Sequence, residues 1–364
     1  MKLTAKVKLK PTTEQHALLL KTLEQANAAC NEISSIAWDA KVFGQFAIHK
    51  LAYHSIRQQF ALAAQMVVRC ISKVSDSYKL DKATRRTFKW HGGVAYDERI
   101  LNWRLATKTV SIWTMDGRQS IPFLCGKRQW ELLQTQQGES DLCLIDGTFY
   151  LFAVCNVDEP TPIDVDGFLG VDMGVANIAV DSDHTVHQGK TVKGVRYRHR
   201  QLRRKLQAKG THSTRRRLKK LAGKERKFAT WTNHNISRRI VDKAKDTQRG
   251  IALEDLGGIR MRLTVRKAQK STLHSWSFHQ LRTFIEYKAK RVGVPVVAVD
   301  PRNTSRTCPC CGYIDKANRK TQDKFLCVDC GYSGLADHIA AVNISRRATV
   351  NLPNVPTTDI DFYQ

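Results

Sequence analysis

The spacing of apolar residues changes several times along the chain, and each change marks a predicted element. Apolar residues alternate with lysine over residues 1–10, which predicts a half-buried β-strand with a basic outer face. Helical spacing begins after Thr12 and Gln15, which have the residue types and separation of a capping box, and it recurs over roughly residues 48–78. Residues 11–85 are therefore predicted to form a small helical unit, and nothing in it suggests catalysis.

Residues 86–165 show the shorter period of β-strands. Two dipeptides, Asp116-Gly117 and Asp146-Gly147, stand between apolar runs, and this is the strongest short-range signal for a hairpin. Together with the strand at 1–10, these strands predict a β-barrel that the helical unit interrupts. Four tryptophans of the region have rings that can stack on bases, although most of them are expected in the core: Trp90, Trp103, Trp113 and Trp130.

Two buried strands of the next region are predicted to end in an acidic residue. They cover Phe168–Asp172 and Gly250–Glu254, and a third apolar run at 294–299 is followed by Asp300. An amphipathic helix that opens at Ser277 lies between the second and third strands, and this order predicts a parallel crossover. A carboxylate at the end of a buried strand is held rigidly enough to bind a metal, although many surface turns have the same appearance.

A cysteine-rich stretch follows, with two Cys-x-x-Cys pairs separated by fifteen residues. This spacing predicts two knuckles around one tetrahedral Zn²⁺, and ligation by thiolates alone is typical of a closed structural site. A glycine follows each pair and permits the tight turn, and Cys310 is expected to be a bystander. Several cations lie between the pairs. The predicted ligands are Cys308, Cys311, Cys327 and Cys330.

Asp337 follows this stretch at the start of another predicted helix. Alone, such an acid is best explained as an N-cap. With Asp172 and Glu254 it forms a set of three acids in one α/β unit, which is the arrangement of an RNase H-like, RuvC-type nuclease site. Carboxylate oxygens suit Mg²⁺, and two Mg²⁺ ions about 4 Å apart activate water and stabilise the leaving oxygen in phosphodiester cleavage.

The charge of the chain favours a polyanionic partner. The 364 residues include 60 Lys and Arg against 33 Asp and Glu, which gives a net charge of +27. Within residues 190–227, many cations accompany a single acid, Glu225, and a break at Gly210 divides the run into two helices. Cations at this density repel one another unless phosphates screen them. The expected nucleic-acid contacts are Arg196, Arg200, Arg203, Arg204, Arg215, Arg216, Arg217, Lys219 and Lys220.

Other classes of protein fit the sequence poorly. No apolar run reaches the roughly 18 residues of a membrane-spanning helix, and the N-terminus has no signal-peptide core. The cysteines outside the paired motifs occur singly in apolar surroundings, as small buried hydrophobic residues do. These observations favour a protein of the reducing cytoplasm, close to nucleic acid and not in a membrane.

Taken together, the motifs resemble those of the TnpB family, transposon-encoded RNA-guided DNA nucleases related to the type V CRISPR effectors. The resemblance is specific over residues 166–348 and weaker over residues 1–165. It rests on five motifs in order: Gly170-Val-Asp-Met-Gly174, Leu253-Glu-Asp-Leu256, Thr304-Ser-x-Thr-Cys-x-x-Cys-Gly312, Cys327-x-x-Cys-Gly331, and Ala336-Asp337 with Asn343. One departure is Ile339, where the family commonly has Asn.

The resemblance implies a guide RNA and a target DNA as partners, with Mg²⁺-dependent cutting next to a short motif by Asp172, Glu254 and Asp337. It also implies a multidomain α/β fold. The expected parts are a wedge β-barrel at 1–10 and 86–165, a helical recognition unit at 11–85, a RuvC-like nuclease domain at 166–303, an inserted zinc ribbon at 304–334, a last helix at 335–348 and a tail at 349–364.

Two alternatives remain open on the sequence. One is a guide-dependent DNA-binding repressor or transposition accessory protein with little cleavage. The other is a protein-guided nuclease or transposase of the same fold. The three acids favour a nuclease, because repressors derived from this family lose them, whereas this chain keeps all three.

Overall fold

A computed structural model describes residues 1–174, 176–255 and 278–350. The chain divides into two compact units, Met1–Asp158 and Glu159–Gln364. Ser277, where a helix was predicted to open, lies outside the described residues.

The first unit contains a seven-stranded antiparallel sheet in the order β2-β6-β7-β1-β5-β4-β3. The strands are β1 (Lys2–Leu9), β2 (Val94–Tyr96), β3 (Leu101–Arg104), β4 (Thr109–Thr114), β5 (Gly117–Leu124), β6 (Gln136–Ile145) and β7 (Thr148–Asn156). The predicted strand β1 is confirmed, and its alternation buries Ala5, Val7 and Leu9. The sheet is nearly closed: Trp103 on edge strand β3 donates from Nε1 to Oγ of Ser140 on β6 at 3.3 Å.

Both predicted hairpins are present in this sheet. Strands β4 and β5 pair up to Thr114 opposite Gly117, and β6 and β7 pair up to Ile145 opposite Thr148. Asp146 and Gly147 both have positive φ, 49° and 74°. A two-residue turn with positive φ at both positions matches the twist of the strands, which explains why the Asp-Gly signal succeeded here.

Helices α1 (Thr13–Asp39), α2 (Gln45–Gln59) and α3 (Ala64–Leu80) are inserted between β1 and β2, and a short helix α4 (Lys127–Leu133) precedes β6. The capping box at Thr12 is present. The second helical stretch is two helices, because the chain turns at residues 60–63. Three of the four tryptophans pack against the core, which confirms the expectation for most of them, whereas Trp90 is 65% exposed.

The second unit is built on a five-stranded sheet in the order β10-β9-β8-β11-β12. Its strands are β8 (Phe168–Asp172), β9 (Asn177–Asp181), β10 (Val186–Gln188), β11 (Gly250–Glu254) and β12 (Val296–Val299). Strands β8, β11 and β12 are parallel, and helix α7 (Phe278–Arg291) lies between β11 and β12 in the chain. The predicted parallel crossover is therefore confirmed.

Helices cover both faces of this sheet. Helix α5 (Lys190–Lys209) ends at Gly210, whose φ is +62°, and α6 (His212–Asp246) follows. Ile236 and Ile240 of α6 pack with Leu169 on one face. On the other face, α8 (Ala336–Val350) lies so close to β8 that a Cβ on Gly170 would meet the backbone oxygen of Ala341 at 2.0 Å.

The cysteine-rich stretch lies between β12 and α8. It contains a 3-10 turn at Lys316–Arg319 and a two-stranded sheet of β13 (Lys324–Leu326) and β14 (Ser333–Leu335). Ile339, the departure from the family motif, is buried with Phe325 and Cys327 in a small core. The apolar side chain at this position thus joins the start of α8 to the cysteine-rich stretch by packing.

Candidate active site and zinc site

Three acids from distant parts of the second unit are placed around one end of its sheet. Asp172 ends β8, Glu254 ends the neighbouring parallel strand β11, and Asp337 lies in the first turn of α8. Side chains alternate between the faces of a strand, so Asp172 shares the face of Gly170, against which α8 packs. The carboxyl ends of parallel strands and the start of the covering helix therefore bring the three predicted catalytic acids together.

The acids influence one another electrostatically. Burial raises the pKa of Asp172, and the carboxylates of Glu254 and Asp337 raise it further, to about 8. Burial also raises the pKa of Glu254. Like charges in a poorly solvated site disfavour ionisation, and perturbed carboxyls of this kind are characteristic of functional sites.

Three polar side chains that the sequence did not assign to the site orient these acids. Thr304 donates from Oγ1 to Oε1 of Glu254 at 2.5 Å. Asn177 donates from Nδ2 to Asp337 at 2.9 Å, and Arg319 donates to the other oxygen of Asp337 at 3.3 Å. Arg319 belongs to the cysteine-rich stretch, so its role was invisible in a count of cations. Only Thr304 carried a signal, because it opens one of the family motifs.

The donor set fits a hard divalent cation. Three carboxylates supply oxygen ligands, which Mg²⁺ prefers, and a cation would relieve the repulsion that raises the pKa of Asp172. The three acids are spaced more widely than the ligands of one compact site. Among the described residues, the four cysteines alone form a group of three or more potential metal ligands with all ligand atoms within 4.8 Å of one another.

The four cysteines form the geometry expected of a zinc site. The Sγ atoms of Cys308 and Cys330 are 3.6 Å apart, as are those of Cys311 and Cys327. Tetrahedral zinc with Zn–S bonds of about 2.3 Å requires sulfurs roughly 3.8 Å apart. The sulfurs therefore already lie near their metal-bound separation. Cys310 is not in this group.

Each knuckle has the same backbone arrangement. The N–H of Gly312 donates to the carbonyl of Cys308 at 3.0 Å, and the N–H of Gly331 donates to that of Cys327 at 3.1 Å. The two glycines have φ of +76° and +73°, a region in which other residues are strained. Burial opposes ionisation of Cys327, but backbone N–H groups and neighbouring thiols more than offset it and lower its pKa to about 7.

Comparison with known proteins shows which proteins the chain resembles. A family model described as the Cas12f1-like TNB domain matches residues 278–344. The CRISPR-associated endodeoxyribonuclease Cas12f1 of Syntrophomonas palmitatica is 32% identical over 221 residues, which cover 56% of this chain and 42% of that protein. A TnpB-like protein of Methanocaldococcus jannaschii is 32% identical over 132 residues, 36% of this chain and 47% of that protein. Over these regions the chain is similar to Cas12f1 and TnpB-like proteins.

The fold of this chain is also found in a solved structure. A Cas12f1 protein in a complex with sgRNA and target DNA superposes with a TM-score of 0.63 at 15% sequence identity, covering 92% of this chain and 83% of that one. In sequence, however, the matched regions span less than half the length of the two curated relatives. Within the described residues, no helix is both long and apolar enough to cross a bilayer.

The cationic helices α5 and α6 pack side by side. Arg203 of α5 forms an ion pair with Glu225 of α6, the one acid of residues 190–227. Arg196 is half-buried like Arg203. The other predicted contacts are exposed: Arg200, Arg204, Arg215, Arg216, Arg217, Lys219 and Lys220. Most of the predicted cations are thus presented to solvent.

Proposed function

We propose that this protein is an RNA-guided DNA endonuclease that hydrolyses phosphodiester bonds with Mg²⁺ next to a short flanking DNA motif. The observation that carries the proposal is the meeting of Asp172, Glu254 and Asp337 at one end of the sheet, with the pKa of Asp172 raised to about 8. The related Cas12f1 protein, named an endodeoxyribonuclease, supports the reaction type. The solved complex with sgRNA and target DNA supports the partners.

In this proposal, the three acids hold the cation, which when bound activates water and stabilises the leaving oxygen. The protein contributes position and charge. Thr304 fixes the carboxylate of Glu254, and Asn177 and Arg319 fix that of Asp337. Asp172 must release its proton before it can act as a ligand, so the proton and the cation compete for the same carboxylate.

The remaining parts receive roles that follow from the same proposal. The second unit is a RuvC-type, RNase H-like nuclease domain, and the four cysteines of its ribbon bind one structural Zn²⁺. The first unit combines a wedge barrel with the helical recognition unit of α1 to α3. The exposed cations of α5 and α6 contact the nucleic-acid backbone, and base pairing with the guide reads the sequence of the target.

The experiment that tests this proposal compares protein purified with and without ribonuclease treatment on a plasmid that carries a target matched to the copurified RNA. We expect cutting at one position with Mg²⁺ and RNA, and none after RNA removal until the guide is restored. Cutting at the same position and rate without RNA would support a protein-guided nuclease instead. Tight guided binding without cutting would support the repressor.

A further inference from the structure

An open groove of about 460 Å³ lies in the second unit, between edge strand β10 and helix α6. Its volume is within the roughly 300–1,000 Å³ range of small-ligand sites. The α6 side is formed by residues at spacings of three and four, including Phe228, Trp231 and Asn235, so one face of the helix lines it. The proposed catalytic acids do not contribute to the groove.

The groove opens on the sheet face opposite the acids. It contains Ile178 of β9, whereas the preceding residue, Asn177, bonds Asp337 beside α8. Successive residues of a strand point to opposite faces. The packing agrees, because α6 covers the face that holds Leu169 and α8 covers the face that holds Phe168.

The α6 wall presents an aromatic surface. The ring of Trp231 is 64% exposed, and it stacks on Phe228 with centroids 6.3 Å apart and an interplanar angle of 27°. Exposing a tryptophan to this degree sacrifices the large hydrophobic gain of burying it. A second flat ring on the free side of Trp231 would recover that gain.

The rim carries positive charge and hydrogen-bonding groups. Arg239 has no acidic partner among the described residues, whereas its neighbour Arg238 pairs with Asp242 at 3.3 Å. Asn235 donates from Nδ2 to the carbonyl of Trp231, which leaves its Oδ1 to accept from a ligand. Helix α5 begins at Lys190, two residues after the groove residue Gln188, so one of the two cationic helices starts at the groove.

We propose that this groove binds one unpaired base of a bound RNA, with the base stacked on Trp231 and an adjacent phosphate paired with Arg239. An aromatic platform beside a basic surface is how proteins hold single-stranded nucleic acid. Charge complementarity selects a polyanion over an apolar peptide, because α5 and α6 bring cations to the groove. The inference rests on the proposed function for the presence of RNA.

The position of the groove identifies the strand. A strand that is cut must lie at the acids, on the face covered by α8. A base held on the α6 face does not flank the scissile phosphate, and the proposal assigns it to the RNA, which is not cut.

The test uses the full-length protein and a short fluorescein-labelled oligouridylate. Trp231→Ala should weaken binding about 5- to 150-fold, the range expected for loss of one stacked base, and Trp231→Phe should restore most of it. The control is Leu80→Ala, because Leu80 is an exposed apolar side chain (85%) without a flat ring. Thermal unfolding of each variant verifies that the fold is retained.

Two further measurements separate stacking from charge. With an oligonucleotide that has the same backbone but abasic sites, wild type and Trp231→Ala should bind equally. The slope of log affinity against log salt concentration should not change in Trp231→Ala. Arg239→Gln should reduce the size of this slope by about one, because one phosphate contact is lost.

The outcomes distinguish this inference from the proposed function. If Trp231→Ala behaves as Leu80→Ala does, or weakens binding to the abasic strand equally, the groove does not bind a base, although guided cutting by the wild type would still stand. A larger effect on oligothymidylate DNA than on RNA would overturn the assignment to RNA. A wild-type protein that binds no RNA and cuts no guided target would remove the proposed function itself.

Discussion

The proposed zinc site and the proposed carboxylate centre both lie in the second unit, but their side chains are brought together by different means. The four sulfurs come from two local turns and lie within 4.8 Å of one another. The three carboxylates come from two strands and a helix that are far apart in sequence, and they meet only because the sheet is assembled. A local turn can place soft ligands close together, whereas the carboxylates depend on the whole domain and repel one another once placed.

The largest effect is expected from removing a carboxylate. Asp172→Ala should reduce guided DNA cleavage to background, because the cation loses the ligand that the neighbouring acids surround. Binding of guide and target should remain nearly unchanged, since the basic surfaces supply the affinity. Plasmid cleavage and a gel-shift assay measure the two quantities.

The matched control is Asp255→Ala. Asp255 directly follows Glu254 but is exposed and pairs with Arg282. Robust Mg²⁺-dependent cutting by Asp172→Ala would reject the assignment of this acid.

Removing one of the four sulfurs should lower the stability of the protein, and cleavage should fall as a consequence. Structural zinc contributes of order 10 kcal/mol to folding in small zinc domains. Cys327→Ser should therefore lose zinc, lower the melting temperature and reduce cleavage, because the ribbon carries Arg319, which orients Asp337. Metal analysis and thermal unfolding test this prediction.

Cys310→Ser is the control for that experiment, because Cys310 is exposed and outside the sulfur group. Equal zinc content and melting temperature in the two serine variants would contradict a structural role for the cluster.

A smaller effect is expected from the hydroxyl that orients Glu254. Thr304→Val keeps the shape of the side chain but removes the 2.5 Å hydrogen bond. Loss of a group that orients a metal ligand typically costs about 10- to 100-fold in metal affinity or activity. The Mg²⁺ concentration at half-maximal cleavage should rise accordingly. Thr307→Val, which removes a hydroxyl bonded to the carbonyl of Asn303, should leave it unchanged; equal behaviour of both valine variants would argue against this role for Thr304.

The last prediction concerns the pH dependence of the free energy of unfolding and not cleavage. The pKa of Asp172 is raised from 3.8 to about 8 in the folded protein. Between about pH 4 and pH 8, the folded state therefore holds a proton that the unfolded state has already released. The contribution of Asp172 to stability is therefore greatest at low pH and falls as pH rises, by at most about 1.4 kcal/mol per pH unit.

Asp172→Asn cannot ionise, so its free energy of unfolding relative to wild type should increase from pH 5 to pH 8. Urea unfolding without added Mg²⁺, and without a chelator so that zinc stays bound, measures this difference. Added Mg²⁺ should narrow the difference at high pH by stabilising wild type. A difference that does not vary with pH would show that neither burial nor the neighbouring acids raise the pKa of Asp172.

The sequence by itself determined the features that depend on neighbouring residues. Both Asp-Gly hairpins, the break at Gly210 and the paired cysteines with their positive-φ glycines were predictable, because turn geometry and knuckle spacing are local. The three acids were predicted as a set from their positions at strand and helix ends, and the structure brings them together, although their catalytic role remains a prediction.

Only the tertiary structure decided which distant residues contact one another. Arg319 of the ribbon and Asn177 of β9 both donate hydrogen bonds to Asp337, and Trp231 lines a groove beside the edge strand β10. No periodic pattern in the sequence predicts these contacts, because each joins residues whose separation along the chain depends on the topology of the fold. Burial and the neighbouring charges, which raise the pKa of Asp172, likewise exist only after the sheet and α8 have packed.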